Sequence, residues 1–347
     1  QFGVGNYPSP YIQYIESVIG NPDLHWETAT KQNLGIELAV LNNMFNLTVE
    51  YFTDDRTDIF MSAGQRKIPD YFGARPVAAN LGETKTRGYE VALNFTNSTQ
   101  GGFQYWANLN FTHAKDEIIY MEDPILQNPH QNNAGHQIAQ TRATLNNGIV
   151  NNWDEVYATV GNQGNNIHKL PGDFFLVDFN ADGVIGGGFD NAPFGYPERP
   201  QNTYNFMVGF DFKGISFMTQ FYGVYNVTMP FYLNSFSGGT RTVAFEQLRE
   251  HWTPENNNTR YNAARFETNS SNSTAWFFDG SYLRLKTAEI AYTFNQRQLG
   301  FLGANSIKLY LNGNNLLFWS KLPDDRESDR REYPMFRRFN LGLNVNF

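Results

Sequence analysis
Phe339-Asn340-Leu341-Gly342-Leu343-Asn344-Val345-Asn346-Phe347 alternates without a break. Phe339, Leu341, Leu343, Val345 and Phe347 share one parity, and Arg338, Asn340, Asn344 and Asn346 share the other. Successive strand side chains point to opposite faces, so this stretch is predicted as a strand with one wholly apolar face and one polar face. A helical period of 3.6 would scatter the five apolar residues around a cylinder instead.

The same period recurs upstream. Leu34, Ile36, Leu38 and Val40 oppose Asn33, Gly35 and Glu37; after Asn42-Asn43, a tight-turn pair, Phe45, Leu47, Val49 and Tyr51 oppose Asn46, Thr48 and Glu50. Further runs are Tyr89–Phe95, Phe103–Phe111, Tyr204–Phe212, Ile215–Val227, Tyr282–Phe294 and Ile307–Trp319. Within Tyr282–Phe294, Leu283 and Leu285 share one parity and Ile290, Tyr292 and Phe294 the other, which predicts a bulge near Lys286–Ala288. The runs are about ten residues long, enough for a tilted strand to cross a bilayer.

Connections alternate between short and long. Asn42-Asn43, Asn97–Gly102, Lys213-Gly214 and Asn295–Ser306 are short, whereas 53–85, 121–201, 229–280 and 320–334 are long and rich in Asn, Gly, Pro and Asp. Outer-membrane barrels sort their loops in this way, with the short turns periplasmic. Tyr51-Phe52, Tyr120, Tyr225 and Trp319 stand where strands meet long loops, as an aromatic girdle would. A soluble β-sandwich also has period two, but its loops do not sort by length, and it should extract without detergent.

Composition supports a membrane strand protein. Mean hydropathy is only −0.50, yet the 347 residues include 30 Phe and 19 Tyr. A barrel reconciles the two, because only alternate residues meet lipid. The formal charge of −8 and the lack of a basic run argue against nucleic acid as a partner. With no cysteine there is no thiol or disulfide chemistry. The six histidines lack metal-ligand spacing, and neither a nucleophile elbow nor a phosphate loop occurs, so no enzyme is expected. Sequons such as Asn46-Leu47-Thr48 and Asn110-Phe111-Thr112 lie on polar strand faces and suit lumen lining. The expected fold is all-β, an antiparallel transmembrane barrel with long extracellular loops and short periplasmic turns. Its nine runs are expected to be the C-terminal strands of a larger even-numbered barrel, so that 1–347 forms part of one domain.

Three local features suggest sites. Asp178, Asn180 and Asp182, followed by Gly183, place oxygen donors at positions 1, 3 and 5 of a calcium-type loop, and Val184 adds a carbonyl. Phe189 stands where an acid belongs and Asp190 follows one residue late, so an Asx/Gly-rich turn without Ca2+ is the alternative. Trp153, Trp252 and Trp276 in the loops are suited either to stacking on sugars or to packing a loop core. Thr242–Trp252 reads as a short helix capped by Thr242 that braces its loop or docks a lipoprotein.

Several blocks, in order, resemble the SusC-like TonB-dependent transporters. They are Asn21-Pro22-Asp23-Leu24-His25-Trp26-Glu27 with Asn33-Leu34-Gly35; Tyr51-Phe52 through Thr57-Asp58-Ile59-Phe60; and Arg87-Gly88-Tyr89-Glu90. Further blocks are Trp252-Thr253-Pro254-Glu255-Asn256 with Thr259-Arg260-Tyr261, Ser281-Tyr282-Leu283-Arg284-Leu285-Lys286, Asn312-Gly313-Asn314-Asn315-Leu316, and Tyr333-Pro334 with the final strand. Asn262 replaces a proline of the family pattern. The resemblance implies a barrel of about 22 strands, an N-terminal plug and a TonB-contacting segment, neither of which this sequence contains. It further implies a SusD-like surface lipoprotein lid, a dimer of such pairs, and import of an oligosaccharide or peptide through the outer membrane of a Bacteroidetes-like Gram-negative bacterium. The alternative is a structural or secretion-system barrel scaffold on the same fold. The terminal Phe347 resembles the signal that barrel-assembly machinery reads, with lipid-face packing as the simpler role.

Overall fold
A computed structural model describes residues 20–73, 76–162, 169–186, 188–230, 250–264, 273–300, 303–322, 325 and 335–347. These residues build a nine-stranded antiparallel sheet whose spatial order follows the chain. Its strands are β1 (Thr28–Val40), β2 (Phe45–Met61), β3 (Ala79–Ser98), β4 (Gln104–Tyr120), β5 (Asn202–Phe212), β6 (Ile215–Tyr225), β7 (Tyr282–Asn295), β8 (Ser306–Ser320) and β9 (Arg338–Asn346). A meander of this kind needs only tight turns on one side. Leu41, Asn42 and Asn43 all take positive φ there, which Asn tolerates. Lys213 and Gly214, both with positive φ, close β5 onto β6 as a two-residue hairpin whose twist suits the strands.

Register carries the apolar alternation from strand to strand. Leu38, Leu47, Leu93, Leu109, Phe206, Phe221, Leu285 and Leu317 are successive partners across β1 to β8. Nearer the short turns, Tyr105, Phe210, Phe217, Ile290, Leu311 and Leu341 form a second such row. A one-residue slip anywhere would turn part of a row inward, so the apolar face fixes the pairing. Rings reinforce it at Phe45–Phe95 (4.7 Å) and Phe210–Phe217 (5.5 Å). The face is left bare: Leu341 is 75% exposed and Phe347 82%. From Phe339 to Phe347 the final strand covers roughly 20 Å of membrane normal at about 3.3 Å per residue and 40° tilt, close to the height of a barrel's lipid band.

The predicted bulge is present. Gln220 and Phe221, adjacent on β6, pair with Thr287 and Leu285, leaving Lys286 as the extra residue of β7. On its other side β8 answers with Asn315 at φ 54, between Asn314 and Leu317. A Cβ at Gly313 beside it would lie 2.6 Å from the tip of the Leu316 side chain, which would have to shift. These bulges restore parity, so that Leu283, Leu285 and Ile290 face the same way.

Three expectations are corrected. Segment 53–85 is not all loop: β2 runs to Met61 and β3 begins at Ala79, leaving 62–78 as the connection. The outer halves of these strands have no apolar parity because both their faces meet water. Ion pairs hold them instead, Lys85 to Asp55 at 3.1 Å and Arg56 to Asp54 and Glu27 at 3.1 and 3.2 Å. Phe52 does not belong to a lipid-facing girdle, because it lies on the other face, with its ring over Gly88. Tyr120 is also displaced, at the far end of β4 well beyond the apolar rows. Tyr51, Tyr89, Tyr204, Tyr225 and Trp319 mark the boundary in their place. The expected helix at Thr242–Trp252 lies, before residue 250, outside the described residues, as do Tyr333 and Pro334.

Beyond the sheet the long loops form a small tier of their own. Phe174, Leu176, Ile185, Tyr261, Ala275 and Trp276 make its core, with Ile149 and Val160 packed against it. Short pairings knit it: 146–149 with 174–176, 142–144 with 191–193, and 228–230 with 277–279.

Candidate functional site
The face opposite the apolar rows is polar. Asn46, Asn94, Asn108, Met207, Gln220, Thr287, Asn314 and Arg338 are successive partners from β2 to β9. Their amides and those of the next rows bond to one another and leave much of the row open to water. Gln220 Nε2 donates to Asn205 (2.9 Å), Asn340 Nδ2 to Asn312 (2.8 Å) and Asn33 Nδ2 to Glu50 (3.2 Å), while Lys308 pairs with Glu289 at 2.8 Å. Such a surface exchanges hydrogen bonds readily with a polar solute. Aromatic rings on this face sit over cross-strand glycines: Phe52 over Gly88, Trp106 over Gly209 and Tyr310 over Gly342. The glycine of Arg87-Gly88-Tyr89-Glu90 is thereby explained, since a Cβ there would also meet the His113 carbonyl oxygen at 2.3 Å.

Above this face the loops are tied by arginines. Arg66 donates to both Glu122 carboxylate oxygens (2.6 and 3.0 Å) and to the Val77 carbonyl (2.8 Å), joining two long loops. The Arg66 hydrogen bonds hold the Glu122 carboxyl below the ordinary carboxylate range, against the effect of burial. Arg260 stacks on Phe278 at 3.7 Å and donates to the Ala275 and Phe277 carbonyls. Arg284, buried, pairs with Asp325 and lies over Phe318. Sequence reasoning missed these ties, because the partners lie tens of residues apart in loops without periodicity.

The three loop tryptophans separate. Trp276 is buried against Phe174 in the loop core, and Trp252 is buried with its indole nitrogen donating to Asn151 at 2.8 Å. Neither offers a face to a sugar, so of the two alternatives both take loop packing. Trp153 is 52% exposed, at the start of a short helix (Trp153–Ala158), with Tyr157 beside it at 6.1 Å. Ile125 and Leu126 project almost fully from the same tier, and Tyr71 and Phe72 are exposed on the 62–78 loop. A cavity of about 280 Å³ lined by Phe194, Tyr196, Phe277, Phe278 and Asp279 lies among the loops. It is at the lower edge of small-ligand pockets, too small for a large solute.

Asp178, Asn180 and Asp182 come together around a turn in which Ala181 and Gly183 take positive φ. Asp178 accepts from the Asp182 and Gly183 amides (3.2 and 2.8 Å), and Asp182 accepts from the Val184 amide (2.9 Å). Asp190 does not join them. It is buried, its two oxygens accepting from the Phe179 and Gly186 amides at 3.0 Å each, so it staples the loop from behind. The exposed oxygens of the first three residues are of the hard type that Ca2+ prefers. Among the described residues, however, no three His, Asp or Glu side chains form a metal cluster. Phe347 continues the outward parity of β9, as Leu343 and Val345 do.

Comparison with known proteins agrees with this geometry. The family model described as TonB dependent receptor-like, beta-barrel, matches residues 2–316. TonB-dependent receptors P3 and P26 of Formosa agariphila are 26% and 25% identical over 94% of this chain, which spans 35% of each relative. A solved structure of the RagAB peptide importer in the open-open state shares the fold, with a TM-score of 0.73 at 20% identity, over 99% of this chain and 37% of that one. The chain thus spans about a third of the length of the proteins it matches. With the family model matching most of its length, this chain belongs to the TonB-dependent receptor-like β-barrel family of the Gram-negative outer membrane.

Proposed function
We propose that this chain supplies barrel strands to a SusC-like receptor that imports a large nutrient, an oligosaccharide or a peptide, with energy from TonB. The observation that carries this is the largely polar row from Asn46 to Arg338, interrupted by Met207 and backed by a mainly apolar outward face. A wall of that kind suits a water-filled passage for a solute rich in hydrogen-bonding groups. In this proposal a SusD-like lipoprotein closes the passage from outside and meets the projecting Ile125-Leu126 and Tyr71-Phe72 tips, and two such pairs associate. Trp153 is the loop ring available to stack on a sugar, and Phe347 serves the assembly machinery as well as the lipid face. The Formosa relatives support a Bacteroidetes-like host.

Uptake by cells with and without the intact receptor tests the proposal. Labelled oligosaccharide and oligopeptide mixtures are supplied, with and without a protonophore. Receptor-dependent, energy-dependent uptake of one class is expected. Uptake unchanged by deletion, for both classes, would refute import and favour a scaffold. For the loop at Asp178, a structural Ca2+ held by Asp178, Asn180, Asp182 and the Val184 carbonyl is part of the proposal. Calorimetric titration of the chelated receptor with Ca2+ should show heat that Asp182→Ala removes, and equal traces would refute the site.

A further inference from the structure
The register of β1 to β4 places a pair of cations at a defined depth. Leu34, Tyr51, Tyr89 and His113 form the uppermost row of the lipid-facing parity that still carries rings. Tyrosines at such a position sit at headgroup level. One step further out on the same parity come Gln32, Thr53, Arg87 and Lys115. Two residues of a tilted strand rise by roughly 5 Å along the membrane normal, so this row lies among the headgroups.

Arg87 and Lys115 are direct cross-strand partners, and both are exposed. Like charges placed opposite each other destabilise a sheet unless something neutralises them. No described acid does so. Of the two outward carboxylates in the next row, Asp55 is engaged by Lys85 at 3.1 Å, and Glu117 stands opposite Lys85 rather than Arg87. Between the Phe45 and Tyr51 rows the same face of β1 to β4 carries no charge, so the pair is the first charged row above an apolar wall, with Asp55, Lys85 and Glu117 in the row beyond it.

We propose that Arg87 and Lys115 together hold the phosphate of an anionic outer-leaflet lipid whose chains lie along the apolar wall of β3 and β4. The planar guanidinium of Arg87 takes two phosphate oxygens and the Lys115 ammonium a third, as a point charge. Both long stems let their heads reach the same group. The inference needs the membrane orientation argued above but no transported substrate.

The test uses the full receptor in mild detergent and, as probe, bisphosphorylated lipid A, with retained lipid counted by native mass spectrometry. Near an anionic surface each cation contributes about five-fold, so Arg87→Gln/Lys115→Gln should weaken retention by roughly 25-fold. The matched variant Lys213→Gln/Arg297→Gln, which removes two charges at the periplasmic turns, should retain lipid as the parent does. Dephosphorylated lipid should bind the parent and the double variant equally. Retention unchanged in Arg87→Gln/Lys115→Gln, or equally weakened in the periplasmic variant, would overturn the proposal. Displacement by inorganic phosphate would overturn it too, marking a free-anion site instead. Heat-modifiable gel mobility confirms that each barrel is folded; should the double variant fail to fold, the two single variants, each about five-fold weaker, serve in its place.

Discussion

Replacing Leu343 with lysine tests the assignment of faces most directly. Leu343 is 61% exposed on the outward parity, opposite Leu309 at 42%, with Leu341 and Val345 on either side. It is the middle residue of the apolar series on β9, so its depth is close to the bilayer midplane. A lysine there costs about 2–4 kcal/mol on a barrel's lipid face, or roughly 30- to 900-fold in the folded-to-unfolded ratio at about 1.4 kcal/mol per tenfold. The matched change is Asn340→Lys, on the polar parity of the same strand, where only the 2.8 Å amide bond to Asn312 is lost. That loss is worth about 1 kcal/mol or less for a group open to water. Refolding of both full-length variants into lipid vesicles, followed by denaturant titration and heat-modifiable mobility, gives the two free energies. Leu343→Lys should be the weaker folder by at least about 1 kcal/mol. Equal costs at the two positions, or full folding of both without lipid or detergent, would refute the two-faced sheet.

Other outcomes follow from particular residues. Deleting Lys286 removes the bulge and turns Ala288 to Phe294 to the wrong face, so membrane-assembled barrel, read by gel mobility, should fall several-fold or vanish. Gly88→Ala places a Cβ 2.3 Å from the His113 carbonyl oxygen; a cost of about 1–3 kcal/mol should appear as a lower denaturant midpoint. Glu122→Gln loosens the tie between loops 62–78 and 121–201, and limited proteolysis at neutral pH should cut these loops faster than in the parent. Because Arg66 lowers the Glu122 pKa, the tie is fully present above the ordinary carboxylate value, about 4.3. It is lost as pH falls through the lower folded value, so the two digestion rates should converge only in that acid range.

Much of the sheet was legible in the chain itself. Phe339 to Phe347, Leu34 to Val40 and Phe45 to Tyr51 each carry a period of two because lipid on one side and water on the other leave no alternative pattern. The parity break between Leu285 and Ile290 located the Lys286 bulge for the same reason. Where both faces meet water, as from Thr53 to Met61, the pattern lapses although the strand continues, and the sequence read as loop.

The loops show the other limit. Tryptophan signifies either a core or a binding face, and only the packing of Phe174 against Trp276 and the bond from Trp252 to Asn151 decided for core in two of three positions. Asp190 looked like a late metal ligand until its carboxylate proved to be held by two backbone amides. The pairing of Arg87 with Lys115 rests on register, which joins residues 28 positions apart. The sequence by itself determined where the strands cross the lipid and which of their faces is oily there, since those follow from neighbours two apart. The tertiary structure alone decided which polar and aromatic side chains are partners, because strand pairing and loop folding bring together groups that no local period connects.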